Sequence, residues 1–206
     1  MIGVIDYGSG NIQAIRNIYK RLKIETFIVK GPQDVSSATK LILPGVGAFD
    51  EAIAKLNQSG LRNALDEAVL QNKVPVMGIC VGMQIMAGSS EEGTLKGLGW
   101  ISGSVKCFDK NQTNIVPKLP HMGWNDISVS EHPIFDGIDK NIGFYFLHSY
   151  FFKADKKKDV IATSCYQNEF DCAINNDNIC GFQFHPEKSH NNGIRLFKNF
   201  SDIFQC

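Results

Sequence analysis

The sequence predicts an α/β domain: a mixed, mainly parallel sheet flanked by helices, with additional antiparallel strands in the second half. Up to residue 97, short apolar runs alternate with segments of helical spacing, the pattern of βαβ units with right-handed crossovers. After Gly97 the pattern changes to short strands and turns. Between them, residues 74–84 pass from an apolar run through Gly78-Ile79-Cys80-Val81-Gly82 into a helical segment, which reads as a buried strand ending in a sharp turn.

Residues 2–6 form the first strand. The turn Gly8-Ser9-Gly10 leads into a helix over 11–22, in which Ile12, Ile15, Ile18, Tyr19 and Leu22 keep helical spacing. Such an opening invites a dinucleotide site. However, Gln13 stands where the third fingerprint glycine belongs, and the second strand, 26–29, runs into Lys30 rather than an acid. Residues 40–43 are a third run, stopped by Pro44-Gly45-Val46-Gly47. Helices follow over 48–56 and 61–70, and the cysteine strand is the fourth. Ligands of such sheets bind beyond the carboxyl ends of the strands, so Gly8, Gly45 and Cys80 are expected on one rim. Later strands are predicted over 101–108, 127–129, 144–150, 160–166, 171–175 and 179–184. The turn Asn175-Asn176-Asp177-Asn178 makes the last two a hairpin that delivers the chain to His185. The charged stretch 153–159 reads as a solvated turn, and 189–204 as a closing amphipathic helix.

A length of 206 residues, 43% of them hydrophobic, predicts one domain over 1–206 with a substantial core. The 21 basic and 21 acidic residues cancel, so no basic field points to nucleic acid or anionic lipid, and small-molecule or protein partners are expected. The N-terminus has neither a basic leader nor a long apolar core, and no run approaches membrane-spanning length; a soluble, cytoplasmic protein is expected. The 6 cysteines, at 80, 107, 165, 172, 180 and 206, show no C-x-x-C pairing and no zinc-type spacing. Reduced thiols, no metal and no cofactor fit best.

Gly-x-Cys-x-Gly repeats the logic of a nucleophile elbow, in which small flanking residues let the backbone fold tightly and present one side chain. A helix over 81–87 would favour the Cys80 thiolate through its unpaired amides and dipole. On local grounds an inert, packed thiol fits as well. With no side chains in the way at Pro44-Gly45-Val46-Gly47, backbone amides near Val46 and Gly47 could complete an oxyanion hole with the Val81 amide; a plain tight turn is the other reading. His185-Pro186-Glu187 supplies a base with its own carboxylate, since residues two apart in extended chain share a side. Together these make a Cys80, His185, Glu187 triad.

The segments Gly78-Ile79-Cys80-Val81-Gly82-Met83-Gln84 and Gly181-Phe182-Gln183-Phe184-His185-Pro186-Glu187 resemble the two hallmark motifs of class I (triad) glutamine amidotransferases. Within that family, Tyr7-Gly8-Ser9-Gly10-Asn11, Pro44-Gly45-Val46-Gly47-Ala48-Phe49, Ser90-Glu91-Glu92-Gly93, His121-Met122-Gly123-Trp124-Asn125, Tyr145-Phe146-Leu147-His148-Ser149-Tyr150 and His185-Pro186-Glu187-Lys188-Ser189 resemble the glutaminase subunits of imidazole glycerol phosphate synthase. The resemblance implies a flavodoxin-like domain that hydrolyses glutamine and passes ammonia to a (β/α)₈-barrel cyclase partner in a heterodimer of histidine biosynthesis. It implies that Gly47, Gln84, Glu92, His148, Ser149 and Tyr150 hold the substrate, with Glu92 on its α-ammonium. It also implies that Asn11, Trp124, Tyr145 and Lys188 face the partner. After Gln84 the run Ile85-Met86-Ala87-Gly88 has an alanine and a glycine where bulkier residues are expected, which predicts a shorter helix or a looser pocket wall. Three rival functions compete with this one: a cysteine hydrolase acting alone, a non-catalytic binding module, and a related glutaminase feeding an amidine-forming enzyme of surface-sugar synthesis. Only the last shares every motif.

Overall fold

In the computed structural model, which describes residues 1–108 and 118–203, the first four strands are β1 (Ile2–Ile5), β2 (Thr26–Val29), β3 (Lys40–Gly45) and β4 (Val76–Cys80). They pair in parallel in the order β2-β1-β3-β4. The continuous burial of β1, β3 and β4 is what strands covered on both faces require, while β2 is a half-buried edge strand. Helix α1 (Ile12–Arg21) is capped by Asn11, whose side chain accepts from the Ala14 N–H. Short α2 (Pro32–Val35), α3 (Phe49–Gln58) and α4 (Arg62–Asp66) make the other crossovers, and right-handed connection puts them on the face opposite α1. The helix predicted over 61–70 widens after Asp66 into a π-helical turn, Glu67–Gln71, closed by Asn72 N–H donating to the Glu67 carbonyl.

The elbow helix α5 is Val81–Gln84, shorter than 81–87. The Ile85 amide still reaches back to Val81, but Met86 and Ala87 bond to Met83 and Gln84 in tighter turns. The short helix does not loosen the wall, because Ile85, Met86 and Ala87 are fully buried.

The second half is largely antiparallel and spread over several sheets. It comprises β5 (Ser89–Ser90), β6 (Gly103–Cys107), β7 (His121–Asn125), β8 (Ser128–Val129), β9 (Phe144–His148), β10 (Tyr150–Ala154), β11 (Val160–Tyr166), β12 (Asn168–Asn176) and β13 (Ile179–Phe182), with β5 and β6 pairing in parallel. Among the described residues β13, β12, β11 and β8 extend the main sheet beyond β4, β13 parallel to β4 and the rest antiparallel. The predicted strand 144–150 is two strands: β9 pairs with β7 and β10 with β6, so the chain bends at Ser149 to change sheets. Strand β7 was missed because its glycine and asparagine are poor strand formers and only tertiary pairing enforces it. The stretch 153–159 is not a plain solvated turn. Lys153 and Ala154 belong to β10, Lys153 pairs with Asp171, and buried Asp159 accepts from Asn176 Nδ2 at 3.1 Å.

Helix α6 (His190–Asp202) closes the described chain against α1, where Tyr19 packs edge-on to Phe197 and its hydroxyl donates to the Phe197 carbonyl. The predicted helix end, Phe204, and Cys206 lie outside the described residues. No helix among the described residues is long and apolar enough to cross a membrane. The expected rim exists: Gly45 stands opposite Cys80 in the β3–β4 register, the Tyr7 hydroxyl donates to the Pro44 carbonyl, and Ser9 bonds Val46.

Candidate active site

Cys80, the last residue of β4, sits at φ 55 and ψ −114 immediately before α5. An L-residue in that region costs about 1–3 kcal/mol, strain that packing around the turn must hold. Gly82 is what lets the turn close, because a Cβ there would collide with the Leu43 carbonyl. The sequence suggested a side chain pushed into the open, yet Cys80 is 4% exposed and lies on the floor of a cavity. With only one turn of helix behind it, α5 contributes little dipole; what remains is the Val81 N–H, which has no acceptor within its own helix.

His185 is placed by its backbone, its N–H donating to the Tyr145 carbonyl at 2.8 Å and its carbonyl accepting from Ser189 Oγ at 2.7 Å. Its Nδ1 meets Glu187 Oε1 at 2.8 Å, both side chains being 3% exposed. The pair does not use extended chain. Pro186 starts a 3₁₀ turn, Pro186–Lys188, and the turn folds the carboxylate back onto the ring. Burial disfavours the charged imidazole, but the Cys80 charge and hydrogen bond, followed by the Glu187 hydrogen bond and charge, outweigh it and push the pKa up to about 10. These contacts favour the protonated ring, whose Nδ1–H faces Glu187 Oε1. In Cys80→Ala the leading charge is gone while burial stays, so His185 is expected to titrate well below 10. A ¹⁵N NMR titration of the imidazole reads this, and an unmoved pKa would show that Cys80 carries no charge there.

The cavity, of about 250 Å³, is lined by Cys80, Val81 and His185 and by all six candidate substrate residues, Gly47, Gln84, Glu92, His148, Ser149 and Tyr150. Pro120 and Leu147 also line it; Leu147 lay inside a recognised motif, and nothing in the sequence marks Pro120. Glu92 does a second job, accepting the Phe49 N–H at 2.9 Å, so it caps α3 where Ala48 offers no side-chain oxygen. Gln84 spends its side-chain nitrogen inside the protein, on the Tyr150 carbonyl and on Gln183 Oε1. Val46 departs from its expected role. Its N–H donates to Ser9 Oγ at 3.0 Å and its carbonyl accepts from the same hydroxyl at 2.9 Å, so in this state the Val46 amide is taken and does not join Val81 at an oxyanion.

Of the four residues expected to face a partner, three form one cluster at the cavity mouth. Lys188 Nζ lies 5.5 Å from the Tyr145 ring centre, and Tyr145 meets Trp124 edge-on at 6.4 Å. Trp124 and Met122 are 45% and 66% exposed on the outer face of β7. Asn11 is exposed and engaged in capping α1. Among the described residues no group of His, Cys, Asp and Glu is arranged to hold a metal, and the cysteines are unpaired.

The model of the glutamine amidotransferase class-I family matches residues 3–203. A relative named imidazole glycerol phosphate synthase subunit HisH in Leptospira interrogans is 50% identical over 204 residues, covering 98% of this chain and 100% of its own. The chain belongs to the class-I glutamine amidotransferases, among the HisH subunits. A HisH subunit of Bdellovibrio bacteriovorus is also 50% identical, with the same coverage. The fold of this class-I amidotransferase is also that of a chain of PurLQS from Thermotoga maritima, with a TM-score of 0.74, 16% identity, and 99% and 98% of the two chains covered.

Proposed function

We propose that this chain hydrolyses glutamine to glutamate and ammonia and hands the ammonia to a (β/α)₈-barrel cyclase subunit, the heterodimer making imidazole glycerol phosphate and AICAR in histidine biosynthesis. It works in the cytoplasm. The observation that carries the reading is the strained Cys80 elbow facing a buried His185–Glu187 pair in a cavity that also holds Glu92. The HisH names and full-length identity of its relatives support the choice of partner.

The Cys80 thiolate attacks the side-chain carboxamide carbon, and the carbonyl oxygen takes the negative charge beside the Val81 N–H. His185 Nε2 gives its proton to the departing nitrogen, the C–N bond breaks, and ammonia leaves a thioester. A water then loses a proton to His185 and attacks the thioester carbon; glutamate departs and the thiolate returns. Glu187 holds the ring and balances the imidazolium throughout. Trp124, Tyr145, Lys188 and Asn11 make the docking face.

The test is reconstitution with two partners, a histidine-pathway cyclase and an amidine-forming enzyme of surface-sugar synthesis. Glutamine-dependent turnover is expected with the cyclase alone, and stimulation only by the sugar enzyme would overturn the assignment.

Glu92→Gln gives a sharper check on substrate binding. The amide oxygen can still accept the Phe49 N–H, so the α3 cap survives while the charge facing the α-ammonium is lost. That contact is remote from the reacting amide and exists in ground and transition states alike, so KM rather than kcat is expected to change. Loss of a hydrogen bond to a charged group costs about 1.5–3 kcal/mol, which predicts a KM rise of about tenfold or more. An unchanged KM would leave Glu92 as a cap and nothing else.

A further inference from the structure

A carbonyl oxygen can only accept, and the Tyr150 carbonyl takes two donors, Gln84 Nε2 at 2.8 Å and His148 Nδ1 at 2.8 Å. Their order sets the polarity of every side chain linked to them. On one branch Gln84 Nε2 also donates to Gln183 Oε1 at 3.1 Å, so the Gln183 carboxamide must turn its nitrogen the other way, where it stands 3.9 Å from Cys80 Sγ. On the other branch His148 carries its proton on Nδ1, leaving Nε2 to accept from His121 Nδ1 at 3.0 Å. His121 Nε2 in turn accepts from Asn125 Nδ2 at 3.2 Å. Burial keeps both rings neutral, drawing His148 down to about 3 and His121 down to about 4, so neither tautomer is scrambled near neutral pH. His121 is clamped in place between Tyr166, stacked at 4.1 Å, and Phe146, stacked at 4.8 Å.

We propose that Gln183 is a positioning residue for the nucleophile, its carboxamide N–H held on Cys80 Sγ by the hydrogen-bond order that the Tyr150 carbonyl imposes. The inference rests on the glutaminase reading of Cys80 and goes beyond the triad. Gln183 is fully buried, so water cannot compete for its N–H. The Leu147 carbonyl, 3.9 Å from the same sulfur, accepts from a thiol and repels a thiolate. A donor on Sγ offsets that repulsion, because a thiolate accepts an N–H more strongly than a thiol does. The chain of bonds also explains why Gln84 lines the cavity with its nitrogen already engaged: it sets the Gln183 amide.

Gln183→Met keeps length and apolar volume and removes the donor; Gln183→Glu keeps the shape and turns an oxygen toward sulfur. The measurement is the pH profile of Cys80 alkylation by iodoacetamide, read at the Cys80 peptide by mass spectrometry, beside kcat and KM for glutamine in the complex with the cyclase. The alkylation midpoint is expected to rise by about one pH unit in Gln183→Met, a tenfold change in the thiolate equilibrium, and further in Gln183→Glu. The value of kcat is expected to fall about tenfold with KM within about twofold, as for a group that acts on the nucleophile and not on the substrate. A changed melting temperature with an unmoved alkylation profile would mean packing only and would overturn the proposal. Should Gln183→Met fail to fold, Gln84→Met removes the N–H that faces Gln183 Oε1 and with it the bond that fixes which way the Gln183 amide points. A smaller upward shift of the profile is then expected, and no shift overturns the proposal. Alkylation needs no glutamine, so a shifted profile in a protein that fails to hydrolyse glutamine would sink the glutaminase reading and leave this one standing.

Discussion

Cys80→Ala is expected to abolish glutamine-dependent product formation by the complex while product formation from ammonium persists. The thiolate is the only group at the elbow that can form the thioester, and removing a nucleophile from a triad leaves little behind, so a loss of roughly 10⁴-fold or more is expected. The partner needs ammonia and not sulfur, so supplying ammonium bypasses the lesion. Alanine keeps the Cβ, and residue 80 stays at the end of β4 with the same packing from Gly82 and β3, so the fold around the elbow is expected to be left intact. Product is measured with glutamine and then with ammonium for wild type and mutant. Glutamine-dependent turnover by the mutant would refute Cys80 as nucleophile, and loss of ammonium-dependent turnover would point to a damaged interface instead.

The parallel half of the fold was readable because β1, β3 and β4 are buried along their whole length. Strands of that kind read as short apolar runs, and the edge strand β2, only partly buried, was also read to the residue. The antiparallel half was harder. Strand β7 alternates a buried His121 and an exposed Met122, a pattern that means little until β9 is known to lie beside it. The triad was legible because glycine spacing and a histidine with its own acid are local signals. Two features were not. The 3₁₀ turn at Pro186 changes how Glu187 reaches His185 without changing that it does. The capture of Val46 by Ser9 joins residues 37 apart, and no short motif records it. Gln183 escaped for a similar reason, since its role depends on which atom of its amide faces sulfur, and that is decided by Tyr150 through Gln84.

The Ser9–Val46 contact bears on the second large effect, a glutaminase that is nearly idle alone and is switched on by its partner. An oxyanion hole needs donors aimed at the developing charge, and losing one such donor costs about 10²–10³-fold in kcat. In the isolated chain the buried Ser9 bonds both polar groups of Val46 through its Oγ and withholds the Val46 N–H from the oxyanion. A partner docked over Lys188, Tyr145 and Trp124 at the cavity mouth can favour a state in which that peptide leaves Ser9, since a ligand shifts an equilibrium by its difference in affinity for the two states. Each hydrogen bond to Ser9 contributes about 0.5–1.5 kcal/mol net, so Ser9→Ala is expected to raise the rate of the isolated chain by about tenfold and to shrink the stimulation by the partner correspondingly. Lys188→Ala removes the cation held over Tyr145 and is expected to lower the stimulation factor by weakening the docked state. Glutamine hydrolysis is assayed for wild type and both mutants alone, with the cyclase, and with the cyclase carrying its acceptor. Full activity in the isolated wild-type chain would end the coupling argument; an unchanged basal rate in Ser9→Ala would show that the Val46 amide, released, finds no oxyanion to serve.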